Sequence, residues 1–184
     1  MNKLIIAVAM VCAAAFSNAA TVDWGCTLVK DGKGDASGSN TGIAYLMLAS
    51  DVADFTALKG QGAVAINNAL SKALISYTPS TAGKYSHDAV ENSVLGLSDS
   101  TNYGDAYLVI FDTTTVTDTS KFYVTAKKGL ETKEGAFATT LSFGSQAANS
   151  KVAANWSSVA APEPTSGLLL LLGMAGLALK RKRA

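Results

Sequence analysis

Asp105-Ala-Tyr-Leu-Val-Ile-Phe-Asp-Thr-Thr-Thr115 is the stretch that decides the fold class. Its centre is aromatic and β-branched, the side chains that suit a pleated, half-buried surface. Alternation along a strand puts Tyr107, Val109 and Phe111 on one face. The same parity sends Asp105 and Asp112 to opposite faces. Moving toward the C-terminus, residues 120–127 read as a strand with Phe122 and Val124 on one side and Tyr123 and Thr125 on the other. Residues 137–143 place Phe137, Thr139, Leu141 and Phe143 together. Thr117-Asp118-Thr119 and the Lys-rich residues 128–135 are turn material between them. Successive strands with short connectors predict an antiparallel meander.

Moving toward the N-terminus, residues 83–92 are polar and read as a solvated loop, and residues 93–97 form a weak strand. A helical pair precedes them. Ser50 caps the first helix, with Val52, Phe55 and Leu58 at helical spacing, and Gly60-Gln61-Gly62 breaks it. The second covers residues 63–76, with Ile66, Leu70, Ala73 and Leu74 on one face. Earlier still, residues 24–29 and 42–48 are strands flanking the turn-rich stretch 31–40, a hairpin across a long loop. The expected fold is a β-rich α+β domain over residues 20–144, a small antiparallel sandwich with an inserted helical pair. Residues 145–161 are small and polar. They read as a linker lifting the domain off a membrane, with Trp156 as an interfacial anchor.

The two ends differ in kind from the middle. Met1-Asn2-Lys3 is a short basic start, and residues 4–16 carry no charge. Ser17-Asn18-Ala19 then presents small residues at the positions a signal peptidase reads. Residues 1–19 are therefore an export signal, cut after Ala19, or after Ala20 because Asn18 is an unusual −3 residue. An uncleaved N-terminal anchor is the alternative. Neither Cys12 nor Cys26 follows a small-residue lipobox, which argues against a lipoprotein.

At the other end Pro162-Glu163-Pro164 precedes an apolar segment, residues 165–179, and then Lys180, Arg181, Lys182, Arg183 and Ala184. The prolines stop any helix from running through them, and Thr165 or Ser166 can cap one that starts beyond. Fifteen residues of helix span only about 22 Å, thin for a hydrocarbon core of about 30 Å. The four cations snorkel and extend the span, and by the positive-inside rule they stay cytoplasmic. Residues 20–161 are then outside, as the export signal independently requires.

These three elements in this order resemble the PEP-CTERM protein-sorting signal, and the resemblance covers residues 162–184. It implies recognition by an exosortase, a membrane peptidase that removes the tail and passes the protein to the cell surface or extracellular matrix. In that family Pro162, Glu163 and Pro164 would be the recognition element. The helix would hold the substrate in the membrane, and Lys180, Arg181, Lys182 and Arg183 would stop translocation. An ordinary single-pass anchor with a proline linker is the alternative.

The middle offers little chemistry. Between the two ends lie ten Lys and thirteen Asp plus Glu, a net charge of −3 with no Arg. That is unsuited to phosphate backbones and predicts no nucleic-acid partner. One His and one Cys exclude a Cys/His zinc cage and an intrachain disulfide there. His87, Asp88 and Glu91 cluster in sequence, and on a helix His87 and Glu91 would share a face, but the stretch lacks an apolar side. Asp31-Gly32-Lys33-Gly34-Asp35 opens like a calcium loop, yet Lys33 and Gly42 stand where ligands belong. A non-EF calcium site using Asp31, Asp35, Asp99 or Asp105 stays open. No Glu lies in an apolar run, as a glycosidase acid requires. Cys26 needs His87 beside it to act as a nucleophile; otherwise it is a packed core residue. Asn155-Trp156-Ser157 matches a glycosylation sequon. No catalytic, metal or cofactor site is assigned. The expected role is a non-enzymatic surface or matrix protein, with Tyr and Thr faces that suit an exopolysaccharide. A small secreted carbohydrate-active enzyme and a permanently anchored periplasmic protein are the alternatives.

Overall fold

The computed structural model describes residues 20–34, 38–134 and 137–160. The expected export signal at residues 1–19, the expected sorting triplet Pro162 to Pro164, the apolar segment 165–179 and the cations Lys180 to Arg183 lie outside them. The described chain is β-rich, with two sheets and a helical layer. The small sheet holds β1 (Thr21–Thr27), β4 (Tyr85–Glu91) and β8 (Ala138–Ser145), in the order β4-β1-β8. The large sheet holds β2 (Ala44–Leu48), β3 (Ile75–Tyr77), β5 (Asn102–Phe111), β6 (Lys121–Val124) and β9 (Ser157–Ser158), in the order β3-β2-β5-β6-β9. In that sheet β7 (Lys128–Glu131) pairs with the first half of β5.

β5 is the centre of the molecule because both of its faces are apolar. Ala106, Leu108 and Ile110 enter the core between the two sheets, with Trp24, Leu46 and Leu141. Tyr107, Val109 and Phe111 enter a second core, with Phe55, Ile66, Leu70 and Phe122. That second core lies between the large sheet and the helical layer. The layer consists of a 3-10 turn (Phe55–Leu58) and α1 (Gly62–Leu70). Asp54 caps the turn by accepting from the Thr56 N–H at 2.9 Å, so this residue rather than Ser50 starts the first helical element. Phe55 then meets Phe122 edge to face at 5.3 Å.

Several expectations are corrected. Residues 24–29 and 42–48 do not form a hairpin, since β1 and β2 belong to different sheets. The meander is not wholly antiparallel: β1 pairs with β8 in parallel, Trp24 opposite Leu141. The second helix stops at Leu70, and Ile75–Tyr77 instead completes the large sheet beside β2. Pairing a β-branched and an aromatic residue across to Leu46 and Ala44 outweighs one more helical turn. Residues 83–92 are not a loop; most of them form β4, paired with β1. Tyr85 and His87 face inward, but Ala89 adopts φ 52° and shifts the next inward residue to Val90. That bulge hides the period of two that marks a strand. Residues 93–97 form a turn rather than a strand.

The largest correction concerns residues 145–160, which are part of the domain and not a linker. α2 (Ala147–Ser150) and a 3-10 turn (Ala153–Asn155) lead into β9, which pairs with β6. Trp156 is 7% exposed, tilted against Tyr123 at 5.8 Å, so it is a core residue and not a membrane anchor. Its Nε1 donates to the Ser150 carbonyl at 2.6 Å. A Cβ on Gly32, which sits at φ +75°, would come within 2.5 Å of the Trp156 ring, so the early turn packs directly on this indole. The buried polar side chains of this segment are matched: Tyr123 Oη donates to Gln146 Oε1 at 2.6 Å, and the Lys30 N–H donates to Ser150 Oγ at 2.7 Å. Small polar residues can be interior where each polar atom finds a partner.

The first and last described residues lie at opposite ends of the sandwich. Ala20 is buried, and its carbonyl accepts from the Asn92 N–H at 2.9 Å. Thr21 pairs with Ala138, Thr139 donates to the Glu131 carbonyl, and Glu131 pairs with Asn102 at the start of β5. Ala160 donates to the Asp118 carbonyl at 3.2 Å, next to β6, which pairs with the end of β5. The length of β5, about 30 Å for its ten residues, separates the two ends.

Candidate functional site

β1 sends Val22, Trp24 and Cys26 inward, so Asp23, Gly25 and Thr27 face outward. Ser86 and Asp88 on β4 and Thr140 and Ser142 on β8 share that outer face. Together these residues line a shallow depression of about 200 Å³. Gly25 is required by the close approach of β4, since a Cβ there would sit 2.1 Å from the Tyr85 carbonyl oxygen. Asp23 Oδ1 accepts from the Ala89 N–H at 2.6 Å, which holds one carboxylate and fixes the bulge. Asp88 is exposed beside it. The small sheet thus brings two carboxylates and several hydroxyls to one open surface. Asp23 was not a sequence candidate. Its outward direction follows from alternation along β1, but its meeting with Asp88 follows from a pairing that sequence does not display.

A second depression, of about 250 Å³, lies between Asp54, Thr56, Tyr107, Val124 and Lys127. Lys127 Nζ donates to the Ala53 carbonyl at 2.7 Å, and Tyr107 Oη donates to the Val52 carbonyl at 2.6 Å. Burial, with the nearby Asp54 and Asp51 charges, pushes the Tyr107 phenol up to about 12. Bonds from the Thr56 hydroxyl and N–H hold the Asp54 carboxyl below its ordinary value. These groups are committed to the loop that carries them.

The other candidates separate. His87 sits on the inner side of β4, its ring stacked on Trp24 at 6.4 Å and edge-on to Tyr77 at 5.4 Å. Glu91 lies beyond the bulge, bonded by the Ser93 hydroxyl, so no shared helical face exists. Cys26 pairs with Tyr85 while His87 pairs with Trp24, which places thiol and imidazole diagonally rather than in contact. Burial pushes the Cys26 thiol up to about 12, so it stays protonated and unreactive at neutral pH. Asp31 forms an ion pair with Lys33 at 3.1 Å. Asp99 accepts from Asn92 Nδ2 at 2.7 Å, at the Ala20 end of the sandwich. Asp105 is on β5 and Asp35 is outside the described residues. Among the described residues no group of three or more His, Cys, Asp or Glu side chains is placed to hold a metal ion. Asn155 of the sequon is exposed, but its Nδ2 donates to the Asn149 carbonyl at 2.8 Å and its neighbour Trp156 is buried. No helix among the described residues is long and apolar enough to cross a membrane.

Comparison with known proteins finds no family model, no curated protein and no solved structure that matches the chain.

Proposed function

We propose that this is an exported cell-surface or extracellular-matrix protein with a structural or binding role and no reaction of its own, sorted through its C-terminal tail. The observation that carries the reading is the ordered series Pro162-Glu163-Pro164, an apolar segment, and Lys180 to Arg183, opposite an export signal ending at Ala19. Signal peptidase releases the N-terminus at Ala20. The tail then tethers the domain to the inner membrane, with its cations in the cytoplasm, until an exosortase cuts it. Two features of the domain support this order of events. Ala20, the residue after the signal, accepts from the Asn92 N–H beside β4, and Ala160, close to the tail, donates to the Asp118 carbonyl beside β6. The hydroxyl-rich outer face of the small sheet suits an exopolysaccharide. Glu163→Ala tests the sorting role: export should continue while release from the membrane slows. Normal release of that variant would make the triplet a plain linker and leave a permanently anchored protein as the better account.

A second reading, a small carbohydrate-active enzyme, is favoured by Asp23 and Asp88 lining one depression. It requires that the purified protein release sugars from a polysaccharide and that Asp88→Asn abolish that release.

A further inference from the structure

We infer that the end of the sandwich formed by the Lys59–Val64 segment and the loop before Lys121 faces the lipid surface, held there by the protein's own tail. This rests on the reading of residues 165–179 as a membrane helix. The chain leaving the domain is fastened residue by residue. The Gly60 N–H donates to the Ser158 carbonyl at 3.0 Å and the Gly62 N–H to the Val159 carbonyl at 2.8 Å. Val159 is fully buried, and Ala160 is bridged to Gln61 and bonded to Asp118. Among the described residues the chain is therefore held as far as Ala160, well beyond residue 144. From there to Thr165 are five residue steps, at most about 18 Å of extended chain. The opposite end, with Ala20 and Asn92, is about 30 Å farther along the sandwich. A tether shorter than the domain cannot let both ends approach the bilayer equally while the domain stands on it.

The surface around the exit carries exposed Lys59, Gln61, Val64, Thr119 and Lys121. Val64 is 78% exposed, on the first turn of α1, two residues from the bond that holds Val159. Lys59, Lys121, Asp112 and Asp118 put charges of both signs around the exit, and the tether sets the orientation. The partner surface is accordingly the headgroup region of the bilayer that holds the tail.

The test uses the full chain from Ala20 in phosphatidylethanolamine–phosphatidylglycerol vesicles carrying a nitroxide on the headgroup. Two single variants, Val64→Cys and Val94→Cys, each receive a thiol-directed fluorophore. Val64 and Val94 are 78% and 65% exposed, at opposite ends of the sandwich, and Cys26 is 2% exposed and does not take the label. Circular dichroism and the unfolding midpoint check that both variants fold. Quenching should be several-fold stronger at position 64 than at position 94. Equal or stronger quenching at position 94 in vesicle-bound protein overturns the orientation and leaves the tail reading intact. Failure of the full chain to insert into vesicles overturns the tail reading, and the orientation with it.

Discussion

Trp156 ties the segment after β8 into the fold. Its ring packs on Tyr123, its N–H is bonded to Ser150, and Gly32 has no room for a side chain above it. Trp156→Ala removes a large buried ring and orphans the Ser150 carbonyl. The expected cost is about 3–5 kcal/mol in the denaturation free energy, whereas a linker tryptophan would cost almost nothing. Cys26 gives a second check at this scale. With burial holding its thiol near 12, an aromatic disulfide reagent at pH 8 should leave native protein beginning at Ala20 unmodified and label its one thiol after unfolding. Rapid labelling of the folded protein would mean that β1 is not the centre of the small sheet. The packing of Cys26 is expected from the sequence, and that of Trp156 is not. A lone Trp between Asn155 and Ser157 reads as exposed because the groups that bury it, Gly32 and Tyr123, are distant in sequence.

Strands with regular alternation were readable and irregular ones were not. β5, β6 and β8 follow their apolar period, so their existence was predicted from composition and spacing alone. On β5 and β6 the faces were also predicted, with Tyr107, Val109 and Phe111 together and Phe122 opposite Tyr123, whereas Phe137, expected beside Thr139, Leu141 and Phe143, precedes β8 and is 70% exposed. β4 was missed because the Ala89 bulge breaks the period between His87 and Val90. β7 was missed because Leu130 is its only buried residue in a Lys-rich stretch. The parallel pairing of β1 with β8 joins residues more than a hundred positions apart, and no local signal reports it. The same gap hid the Asp23–Asp88 surface. Since β5 is buried on both faces, Leu108→Ala should destabilise the protein by about 2–5 kcal/mol. Val64→Ser, on the exposed side of α1, should stay within about 0.5 kcal/mol. Urea titration of the two variants compares them directly, and similar costs would contradict the layered core.

At the scale of the whole molecule, the tyrosines make stability sensitive to alkali. Burial raises Tyr45, Tyr85, Tyr107 and Tyr123, and Tyr107 reaches about 12. An unfolded chain releases these protons near 10, before the native one does. The native state therefore holds more protons, and its stability is complete below pH 10 and lost as pH rises toward 12. The urea midpoint should be level from pH 7 to 9 and fall steeply above 10; a level midpoint at pH 11 would contradict the burial of these phenols.

The proposed sorting gives the whole chain a direction of travel. Its described fold holds Ala20 and Ala160 at opposite ends, and the proposed export signal and sorting triplet lie in sequence just beyond them. The intact mass of the protein collected from the cell surface or medium tests this account most directly. The prediction is a species that begins at Ala20, or one residue later, and has lost residues 165–184. A surface form that retains Met1, or that still carries Lys180 to Arg183, would contradict it.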